Sequence, residues 1–484
     1  MSCVICRELG SDANHEVFIF IGWLSPPWLA IQRDIARRAL DHGHKVTFVE
    51  MTQFSHPPVS VDFLSALKRT RDAIQERCAI LSLGSPILLP ISRSPESRWV
   101  SESISSELLT KYRGAYTKLL KPLVLIEKRW LENLVSQLQQ KLTSIPTNQN
   151  SVWIYPNGRF SCQRTVLEYA KKNNIKNLCY EKNRNLGKYF LRNYGVHDRH
   201  SMNRDFAKYL DFMPEEVSSE VTEWLQERDR PQSRTNEYSK RFSRTKDLDL
   251  RTRENDTRFK VVFFTSSKDE LEALGPSWKT FDWQDQYQAF ETIMNLLPKE
   301  NYRFFLRVHP NLKNKSYLDK VRELGRIKSI SNQGLQIFGP YSTINSYDLA
   351  QAADLVVISR STIGIETLAR GKPVVSTAAS YYDAVETLLQ FKSPRDIALV
   401  DSLAGTYINA FSAKKWIEFN IMRDVSLTSE VHHFRPKIWE SLASLSKPGA
   451  LIYFLNDFLH RTIELLPQFS ANILLRKMPF SKHR

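Results

Sequence analysis

The pattern of apolar and polar positions in the first half of the chain predicts strands and helices in alternation. The run EVFIFIG at 16–22 has the length and the β-branched and aromatic content of a strand, and KVTFVE at 45–50 is similar. Between them, residues 29–42 have helical apolar spacing and are followed by Gly43, a helix stop signal. Strand, helix and strand within about 35 residues are typical of the opening of a parallel α/β sheet.

The same alternation returns twice further along the chain. Residues 151–181 repeat the strand, helix and strand order after a long helical stretch at 102–142. A second series begins with the strand FKVVFFTSS at 259–267. Its further strands are predicted at 302–310, 335–339, 354–359 and 372–377, and its helices at 285–297, 346–353 and 362–370. Residues 404–465 have a mostly helical pattern.

A charged segment separates the two series. Residues 228–258 are rich in arginine and almost without large apolar side chains, which predicts a solvated linker or mobile loop. The expected fold class is therefore α/β, with two Rossmann-like domains facing a cleft and a helical C-terminal region. The expected boundaries are 1–227 for the first domain, 228–258 for the linker, 259–400 for the second domain and 401–484 for the helical region with a basic tail.

Composition and charge narrow the class of protein. Hydrophobic residues are 42% and charged residues 25% of the 484, which excludes a disordered chain, a collagen-like chain and a coiled-coil rod. The 68 Lys and Arg exceed the 52 Asp and Glu, so the formal charge of +16 favours anionic partners. No apolar run approaches the roughly 18–20 residues of a spanning helix, and the N-terminus lacks a signal-peptide core. We expect a cytoplasmic protein.

The five cysteines do not form a pattern typical of a disulfide framework. Cys3 and Cys6 make one C-x-x-C pair, but no second pair follows at metal-ligand spacing. We therefore expect no metal site, with a zinc or redox role for this pair as the alternative.

The segment DLVVISRSTIGIETLARGKPVV at 354–375 carries the strongest signal for ligand binding. Ser361 and Thr362 lie at the turn between a strand and a helix, where backbone N–H groups and hydroxyls can bind phosphate. Gly364 would allow close approach of a ligand, and Glu366 would accept from ribose hydroxyls. Lys372 adds a positive charge. The alternative is ordinary N-capping by the two hydroxyls.

Two further strand ends of the second series carry polar side chains. Arg307 offers a bidentate fork for phosphate, and His309 can donate to a phosphate oxygen or act as a general acid. Ser266 and Ser267 follow the first strand of the series. Because the carboxyl ends of parallel strands line one crevice, we expect these four residues to bind the same donor as the 354–375 segment. Loop and helix capping are the alternatives.

In the first series, a turn follows the strand at 151–158. Asn157 and Arg159 can hydrogen-bond a polar acceptor, and Gly158 permits its close approach. Glu181 ends the next strand and is our candidate for the base that deprotonates an acceptor hydroxyl. The alternative interpretation is an ordinary polar loop, with Glu181 in a salt bridge to Lys182, Arg184 or Arg159.

Several common signatures are absent from the sequence. There is no G-x-x-x-x-G-K-[ST] loop, no G-x-G-x-x-G after the first strand, no H-E-x-x-H and no G-x-S-x-G. These absences argue against a P-loop NTPase, an ordinary NAD enzyme, a zincin and an α/β-hydrolase.

The motifs together resemble a known family. RVHPN, FFTSSKDE, IYPNGRF and the stretch from Ser346 to Val375 look like bacterial capsule and surface-polysaccharide biosynthesis proteins. These are glycosyltransferases of the two-domain GT-B type and include the capsular Kdo transferases. The resemblance covers roughly residues 150–205 and 259–380. It implies a nucleotide-sugar donor in the second domain and a glycan or lipid-linked acceptor in the first. A helix N-terminus with Arg307, His309 and Lys372 would supply positive potential at the departing phosphate without a metal, so we expect transfer without metal or cofactor.

Other functions remain open at this point. A nucleotide-sugar 2-epimerase has a related fold but usually a Gly-Gly pair and consecutive glutamates where this chain has Thr362 to Thr367. A teichoic-acid-type glycerophosphotransferase and a non-catalytic polyanion-binding protein are further alternatives. Nucleic acid is not expected as a partner, because the charged segment lacks interleaved aromatic residues. An anionic membrane surface is a possible partner for the tail residues Arg476, Lys477, Lys482 and Arg484.

Overall fold

The computed structural model describes most of the two α/β series. The described residues are 4–9, 14–22, 26–51, 78–83, 97–112, 121–182, 188–212, 216–229, 256–266, 274–275, 278, 280–315, 317–331, 334–422 and 425–426. Ser267, the greater part of the charged segment 228–258 and the basic tail lie outside these residues. By internal contacts the described chain divides into two units, which separate between Asp198 and Arg199. The short strand 425–426 belongs to the first unit.

The elements include every predicted strand, and the structure adds strands at 79–82, 188–192, 388–390 and 425–426 that the sequence pattern did not predict. Up to Asp198 they are α1 (Val4–Leu9), β1 (Glu16–Ile21), α2 (Pro26–Asp41), β2 (Lys45–Glu50), β3 (Ala79–Ser82), α3 (Arg98–Tyr112), α4 (Lys121–Leu142), β4 (Ser151–Pro156), α5 (Ser161–Lys172), β5 (Lys176–Lys182) and β6 (Lys188–Arg192). From Arg199 they are α6 (Arg199–Phe212), α7 (Ser219–Asp229), β7 (Phe259–Phe264), α8 (Gln286–Leu296), β8 (Tyr302–Arg307), a 3₁₀ turn (Pro310–Asn314), α9 (Tyr317–Ile330), β9 (Gln336–Phe338), α10 (Ser346–Gln351), β10 (Leu355–Ile358), α11 (Ile363–Leu368), β11 (Val374–Ser376), β12 (Leu388–Gln390), a 3₁₀ turn (Pro394–Asp396), α12 (Ile397–Leu403), α13 (Phe411–Met422) and β13 (Val425–Ser426).

Each unit is built on one sheet. Among the described residues the first sheet has the order β13-β6-β5-β4-β1-β2-β3, and its five strands from β5 to β3 are parallel. Strand β6 runs antiparallel to β5, and β13 antiparallel to β6. The second sheet has the order β12-β11-β10-β7-β8-β9 and is parallel throughout. The predicted α/β class with two mostly parallel sheets is confirmed.

The central strands are apolar over nearly their whole length because helices cover both faces of a parallel sheet. Strand β4 is buried at every position, and β1 at every position after Glu16. Large apolar side chains from helix α2 join β1 and β4 in one core, and α8 and α9 do the same for β7 and β8. These cores fix the strand ends that carry the polar residues.

Several predicted boundaries differ from the observed ones. Helices α6 and α7 belong by contacts to the second unit, whereas the sequence analysis put residues up to 227 in the first domain. Their side chains explain this: Asn203 of α6 accepts from the backbone N–H of Ala384, and Arg228 of α7 contacts α11. Helix α11 has six residues, fewer than predicted for 362–370. Within 404–465, helix α13 is described, and residues 427–465 lie outside the described chain.

Two further observations concern the sequence expectations about membranes and cysteines. In the described residues, no helix is both long and apolar enough to span a bilayer. The cysteines of the described chain, Cys6, Cys78, Cys162 and Cys179, are buried and form no disulfide with one another. Cys3 lies outside the described residues.

Candidate functional site

In the first unit, Asn157 and Glu181 meet at the carboxyl edge of the sheet. Strand β4 ends at Pro156, which pairs with Tyr180 of β5, so the residue after each lies at the same edge. The Asn157 side-chain amide donates to Glu181 Oε2 at 2.5 Å, and the backbone N–H of Lys182 donates to Oε1 at 3.1 Å. Within the described ranges Glu181 makes no ion pair with Lys182 or Arg159, and the third candidate partner, Arg184, lies outside the described residues.

The pKa of Glu181 reflects two opposing influences. Burial raises the pKa to about 7, although the Asn157 amide, the Lys182 backbone N–H and the Arg159 cation all favour the charged form. A carboxyl group that exchanges its proton near neutral pH is suited to general-base chemistry. The geometry therefore gives Glu181 both a fixed orientation and a matched proton affinity.

The turn after β4 has an unusual backbone. Asn157 and Gly158 both have positive φ, 58° and 71°, and the backbone N–H of Asn157 donates to the Tyr180 carbonyl at 2.8 Å. Asparagine tolerates the left-handed region better than most residues, and glycine adopts it freely. A Cβ on Gly158 would lie 3.1 Å from the Tyr155 ring, so glycine is required here by backbone and by space. The turn aims the Asn157 amide at Glu181.

Arg159, predicted to bind the acceptor, contacts its own neighbours. Its guanidinium lies 4.3 Å from the Phe160 ring centroid, and Nη2 donates to Thr110 Oγ1 at 3.4 Å. Burial and the Arg159 charge lower the pKa of His197 to about 3, so this imidazole is neutral at physiological pH. Arg159 thus contributes positive potential near Glu181 and His197, and its contact with an acceptor stays a prediction.

In the second unit, three strand ends are aligned by register. Phe264 of β7 pairs with Arg307 of β8 and with Ile358 of β10, so the following residues share one edge. Thr265 Oγ1 accepts from the backbone N–H of His309 at 2.8 Å and joins the first two of these strand ends.

Ser266 is fixed by a buried glutamine and by the neighbouring strand. Its backbone N–H donates to Gln286 Oε1 at 2.8 Å, and the Gln286 amide donates back to the Ser266 carbonyl at 3.1 Å. The Ser266 hydroxyl donates to the Ser359 carbonyl. Ser266, which was predicted to bind the nucleotide-sugar donor, therefore lies at the carboxyl edge with its hydroxyl directed at the protein backbone.

His309 lies at this edge with a defined tautomer. Its Nδ1 accepts from the backbone N–H of Asn311 at 3.1 Å, which places the proton of the neutral ring on Nε2. Nε2 is then the ring atom that can donate to a phosphate oxygen. The loop-cap alternative and the functional interpretation are compatible, because the cap orients the ring.

Arg307 is placed differently from the expectation that it binds phosphate. It is 1% exposed and donates to the Gly339 carbonyl at 2.6 Å, to the Ser342 carbonyl at 3.3 Å and to Ser346 Oγ at 3.5 Å. Burial lowers its pKa to about 10, so it stays charged at neutral pH. Its fork holds the loop that leads into α10, and a direct contact with a donor stays a prediction.

The Ser361–Thr362 turn follows β10 after Arg360, which has a positive φ of 66°. Thr362 is the N-cap residue of α11, and its side chain makes no capping hydrogen bond, so the capping alternative does not explain this hydroxyl. The Ser361 carbonyl accepts from the Tyr382 hydroxyl at 2.5 Å. A Cβ on Gly364 would lie 2.5 Å from that same hydroxyl. Glycine is thus needed here for packing against Tyr382, and close approach of a ligand at Gly364 stays a prediction.

Glu366 is buried in an ion pair. It is 2% exposed, and Oε1 accepts from Arg228 Nη2 at 2.7 Å. Arg228 also donates to the Tyr347 hydroxyl at 3.1 Å. Within the described residues the second carboxylate oxygen, Oε2, has no hydrogen-bond partner. One oxygen of Glu366 is therefore committed to the fold, and a contact of the other with a ribose hydroxyl stays a prediction.

Lys372 and Ser267 are the remaining residues that were predicted to bind the nucleotide-sugar donor. Lys372 Nζ donates to the Ala353 carbonyl at 3.1 Å, just beyond the C-cap residue Ala352 of α10, and its contact with a donor stays a prediction. Ser267 lies outside the described residues. In the described ranges, no group of three or more His, Cys, Asp or Glu side chains is placed to hold a metal ion.

Three residues that organise the site had no role in the sequence-based hypothesis. Gln286 orders the strand end at Ser266, Tyr382 holds the Ser361 carbonyl, and Arg228 pairs with Glu366. All three act over long sequence separations, and no local pattern marks them.

Comparisons with known proteins give only remote similarity. No protein-family model matches the chain, and no curated protein matches it. Among solved structures, KpsC β-Kdo 2,7 transferase of Thermosulfurimonas dismutans is 14% identical with a TM-score of 0.35, over 65% of this chain and 90% of that one. The β-Kdo 2,4 transferase of the same organism is 12% identical with a TM-score of 0.32, over 55% and 78%.

A third solved structure is the UDP-GlcNAc 2-epimerase of Neisseria meningitidis bound to UDP-GlcNAc. It is 12% identical with a TM-score of 0.28, over 84% of this chain and 98% of that one. The capsular Kdo transferases named by the sequence resemblance are thus among the structures to which the chain is similar. At these TM-scores, function has to be inferred from the chain's own residues.

Proposed function

We propose that the chain is a GT-B type glycosyltransferase that moves a sugar from a nucleotide-sugar donor to a surface polysaccharide or lipid-linked acceptor. The observation that carries this proposal is the Asn157–Glu181 pair at the carboxyl edge of the first sheet. It supplies an oriented carboxylate whose proton affinity suits a sugar hydroxyl's deprotonation at neutral pH.

The proposed transfer is a single displacement. The acceptor hydroxyl gives its proton to Glu181, and its oxygen forms the new bond to the anomeric carbon. The bond from that carbon to the donor phosphate breaks, and the phosphate leaves with the electron pair. His309 Nε2 donates to the departing phosphate, and the charge of the Arg307 guanidinium stabilises the same region from beneath.

The donor is proposed to bind at the carboxyl edge of the second sheet. The Ser361 and Thr362 hydroxyls face phosphate oxygens, and the unpartnered Glu366 Oε2 accepts from a ribose hydroxyl. An orphaned buried carboxylate oxygen is costly, and a ligand hydroxyl would satisfy it. This is a reason, independent of the sequence motif, to keep Glu366 in the donor site.

The test has two stages. In the first, thermal unfolding is followed with CMP, UDP, GDP and CDP and their sugar conjugates, and one base should raise the midpoint in preference to the others. In the second, the products formed from that nucleotide's sugar or CDP-glycerol are analysed. Glycosidic product with release of nucleotide supports the transferase, and an epimerised nucleotide sugar supports the 2-epimerase. Glycerol phosphate transfer supports the glycerophosphotransferase, and midpoints without base preference support a polyanion binder.

The proposed location is the cytoplasmic face of the plasma membrane. The support is the formal charge of +16 and the basic residues Arg476, Lys477, Lys482 and Arg484. Each clustered cation gains about 1 kcal/mol near anionic lipid. Sedimentation with phosphatidylglycerol vesicles should decline as salt rises, and an equal, salt-insensitive soluble fraction with and without vesicles would contradict the location.

A further inference from the structure

Helix α3 contacts the turn that carries Asn157. Glu107 of this helix is 7% exposed, and its Oε2 accepts from the backbone N–H of Ser161 at 3.0 Å. The buried Ser161 hydroxyl donates to the same oxygen. Ser161 is the first residue of α5, where backbone N–H groups have no partner within the helix. A carboxylate from another helix therefore fixes the point at which the turn enters α5.

The same helix contacts the turn at a second place. Thr110 lies three residues after Glu107, a spacing that puts both side chains on one face of α3. Thr110 Oγ1 accepts from Arg159 Nη2 at 3.4 Å and donates to the Ser106 carbonyl at 2.7 Å. Helix α3 thus holds the turn through Arg159 as well as through Ser161.

Arg159 links these contacts to the side chain of Asn157. The backbone N–H of Arg159 donates to Asn157 Oδ1 at 3.2 Å. With the amide oxygen bound in this way, the amide nitrogen is the group that faces the Glu181 carboxylate. An amide rotated by half a turn would bring its oxygen against the carboxylate, where no hydrogen bond forms while the carboxyl is ionised. The orientation of Asn157 therefore depends on the position of the Arg159 backbone.

We propose that Glu107 is a positioning residue for the candidate base Glu181. Its carboxylate fixes the start of α5 and so holds the turn in the conformation in which Asn157 donates to Glu181. The inference rests on the proposed function, because it assigns control of the base in that reaction to a residue of another helix. Capping of α5 alone would stabilise the helix without any effect on the proton affinity of Glu181.

The groups that act on Glu181 stay in place in the test variants. Besides burial and the Asn157 amide, the backbone N–H and charge of Lys182 and the charge of Arg159 influence the pKa of Glu181. The charge of Glu181 in turn raises the pKa values of Cys179 and Tyr180 on the same strand. With these groups retained, a change in the pKa of Glu181 reports on how firmly Asn157 is held.

The first measurement is the pKa of Glu181 in the full chain, followed by NMR of carbon-13 in the glutamate carboxyl groups. The Glu181→Gln spectrum identifies the signal. Glu107→Gln keeps the shape of its side chain and should raise the pKa of Glu181 by about 0.5, because the Asn157 hydrogen bond to the carboxylate weakens. Loss of the Glu107 charge alone would lower this pKa, since a nearby negative charge disfavours ionisation. An unchanged or lowered pKa overturns the proposal.

A second variant covers the case in which Glu107→Gln does not fold. Ser161→Ala removes only the hydroxyl contact and leaves the backbone N–H and the Glu107 charge. It should also raise the pKa of Glu181, by less than Glu107→Gln does. No rise in Ser161→Ala, where Glu107→Gln cannot be measured, overturns the proposal.

The matched control is Asp285→Asn in the second unit. Asp285 is the N-cap residue of α8 and accepts from the backbone N–H groups of Tyr287 and Gln288, both at 3.0 Å. Asp285→Asn and Glu107→Gln should both lower the thermal midpoint, because each removes a negative charge at a helix N-terminus. Only Glu107→Gln should raise the pKa of Glu181. The same rise in Asp285→Asn would assign the effect to lost stability and overturn the proposal.

A double variant tests whether Glu107 acts through Asn157. In the Asn157→Gly background, Glu107→Gln should cause no further rise in the pKa of Glu181, because the amide that it positions is absent. An equal rise with and without the Asn157 amide would place the effect elsewhere and overturn the proposal.

Transfer assays separate this inference from the proposed function, because the pKa of Glu181 is measured without donor or acceptor. If glycosidic product forms while the pKa of Glu181 does not respond to Glu107→Gln, the inference fails and the proposed function stands. If the pKa responds as expected but no nucleotide sugar acts as a donor, the proposed function fails. The control of the Glu181 proton by Glu107 then stands.

Discussion

The side-chain amide of Asn157 donates to the Glu181 carboxylate at 2.5 Å, from a backbone with a left-handed φ of 58°. Two opposing influences meet in this pair. Burial raises the pKa of Glu181, while the amide hydrogen bond favours the charged form. The conformation of Asn157 has an energetic cost, which the surrounding turn has to offset. The pair is therefore the best place to test the proposed chemistry.

The first prediction concerns the Glu181→Gln variant. Turnover should fall by about 10²–10⁴-fold, because the amide cannot accept the proton of the acceptor hydroxyl. Nucleotide affinity, measured by calorimetric titration, should stay unchanged. In the unchanged enzyme, activity should rise with pH through about 7, where Glu181 loses its proton. Near-normal turnover in Glu181→Gln would place the base elsewhere.

Stability should depend on pH through the same group. The folded-state pKa of Glu181 is above its ordinary value of 4.5, so the folded state holds the proton more tightly than the unfolded state. This stabilisation is fully present below about pH 4.5 and is lost as pH rises to about 7. Glu181→Gln has no such titration. As pH rises from about 4.5 to about 7, the difference between the denaturation midpoints should therefore change in favour of the variant. Above about pH 7 this difference should stay constant.

The second prediction concerns Asn157→Gly. Glycine accepts the left-handed backbone but removes the amide that favours the Glu181 carboxylate. The pKa of Glu181 should rise, and the pH–activity curve should shift to higher pH, with about tenfold lower activity at pH 7. Gly195→Ala is a control in the same unit, because its Cβ would lie at an ordinary 3.6 Å from the Asn157 carbonyl. An unchanged pH midpoint in Asn157→Gly would contradict the pairing.

The third prediction concerns the Thr362 hydroxyl. Thr362→Val keeps the shape of the side chain, and because the hydroxyl makes no capping bond, stability should change by less than about 0.5 kcal/mol. Nucleotide affinity should weaken by about 1.5–3 kcal/mol if the hydroxyl bonds a phosphate. The matched control is Thr367→Val in the same helix, since Thr367 Oγ1 donates to the Ile363 carbonyl at 2.6 Å. The control should lose stability and keep affinity, and the same behaviour in Thr362→Val would remove Thr362 from the donor site.

The fold was largely predictable because its signals are local. Buried strands such as β1 and β7 are continuous apolar runs, and the strand–helix alternation dictates parallel sheets. The assignment of α6 to the second unit was not predictable, since it depends on contacts such as that of Arg199 with Asp383 at 2.5 Å. No periodicity within α6 encodes which sheet it packs against.

The position of the site was predictable from the sequence, but the hydrogen-bond partners of its side chains were not. Strand ends place Glu181, His309 and Thr362 at the edges where ligands bind α/β sheets, and the sequence gives those positions directly. It does not give the partners. The sequence predicts that the Arg307 guanidinium is open to a phosphate. In the structure it donates to the Gly339 and Ser342 carbonyls. Side-chain pairing is decided by packing, which a linear motif does not contain.

The fourth prediction concerns metal ions. Transfer should proceed equally with EDTA and with added Mg²⁺ or Mn²⁺, because stabilisation of the departing phosphate is assigned to the His309 Nε2 donor, the Arg307 charge and the turn at Thr362. The measurement is the initial rate of nucleotide release after exhaustive chelation. A rate abolished by EDTA and restored by either ion would require metal ligands that this scheme does not contain.

The last prediction concerns the buried pair of Arg228 and Glu366. Their side chains are 8% and 2% exposed, so removing one partner leaves an uncompensated charge in the interior. Glu366→Ala should therefore lower the free energy of unfolding by about 3–5 kcal/mol, whereas the double variant Arg228→Met with Glu366→Met should recover most of it. The surface control is Asp41→Ala, whose partner Arg37 lies 3.8 Å away with both side chains more than half exposed, and it should cost less than about 1 kcal/mol. Because Glu366 Oε2 is also assigned to the ribose, the double variant should fold yet lose nucleotide affinity. Recovery of both stability and affinity in that variant would mean that Glu366 serves the fold alone.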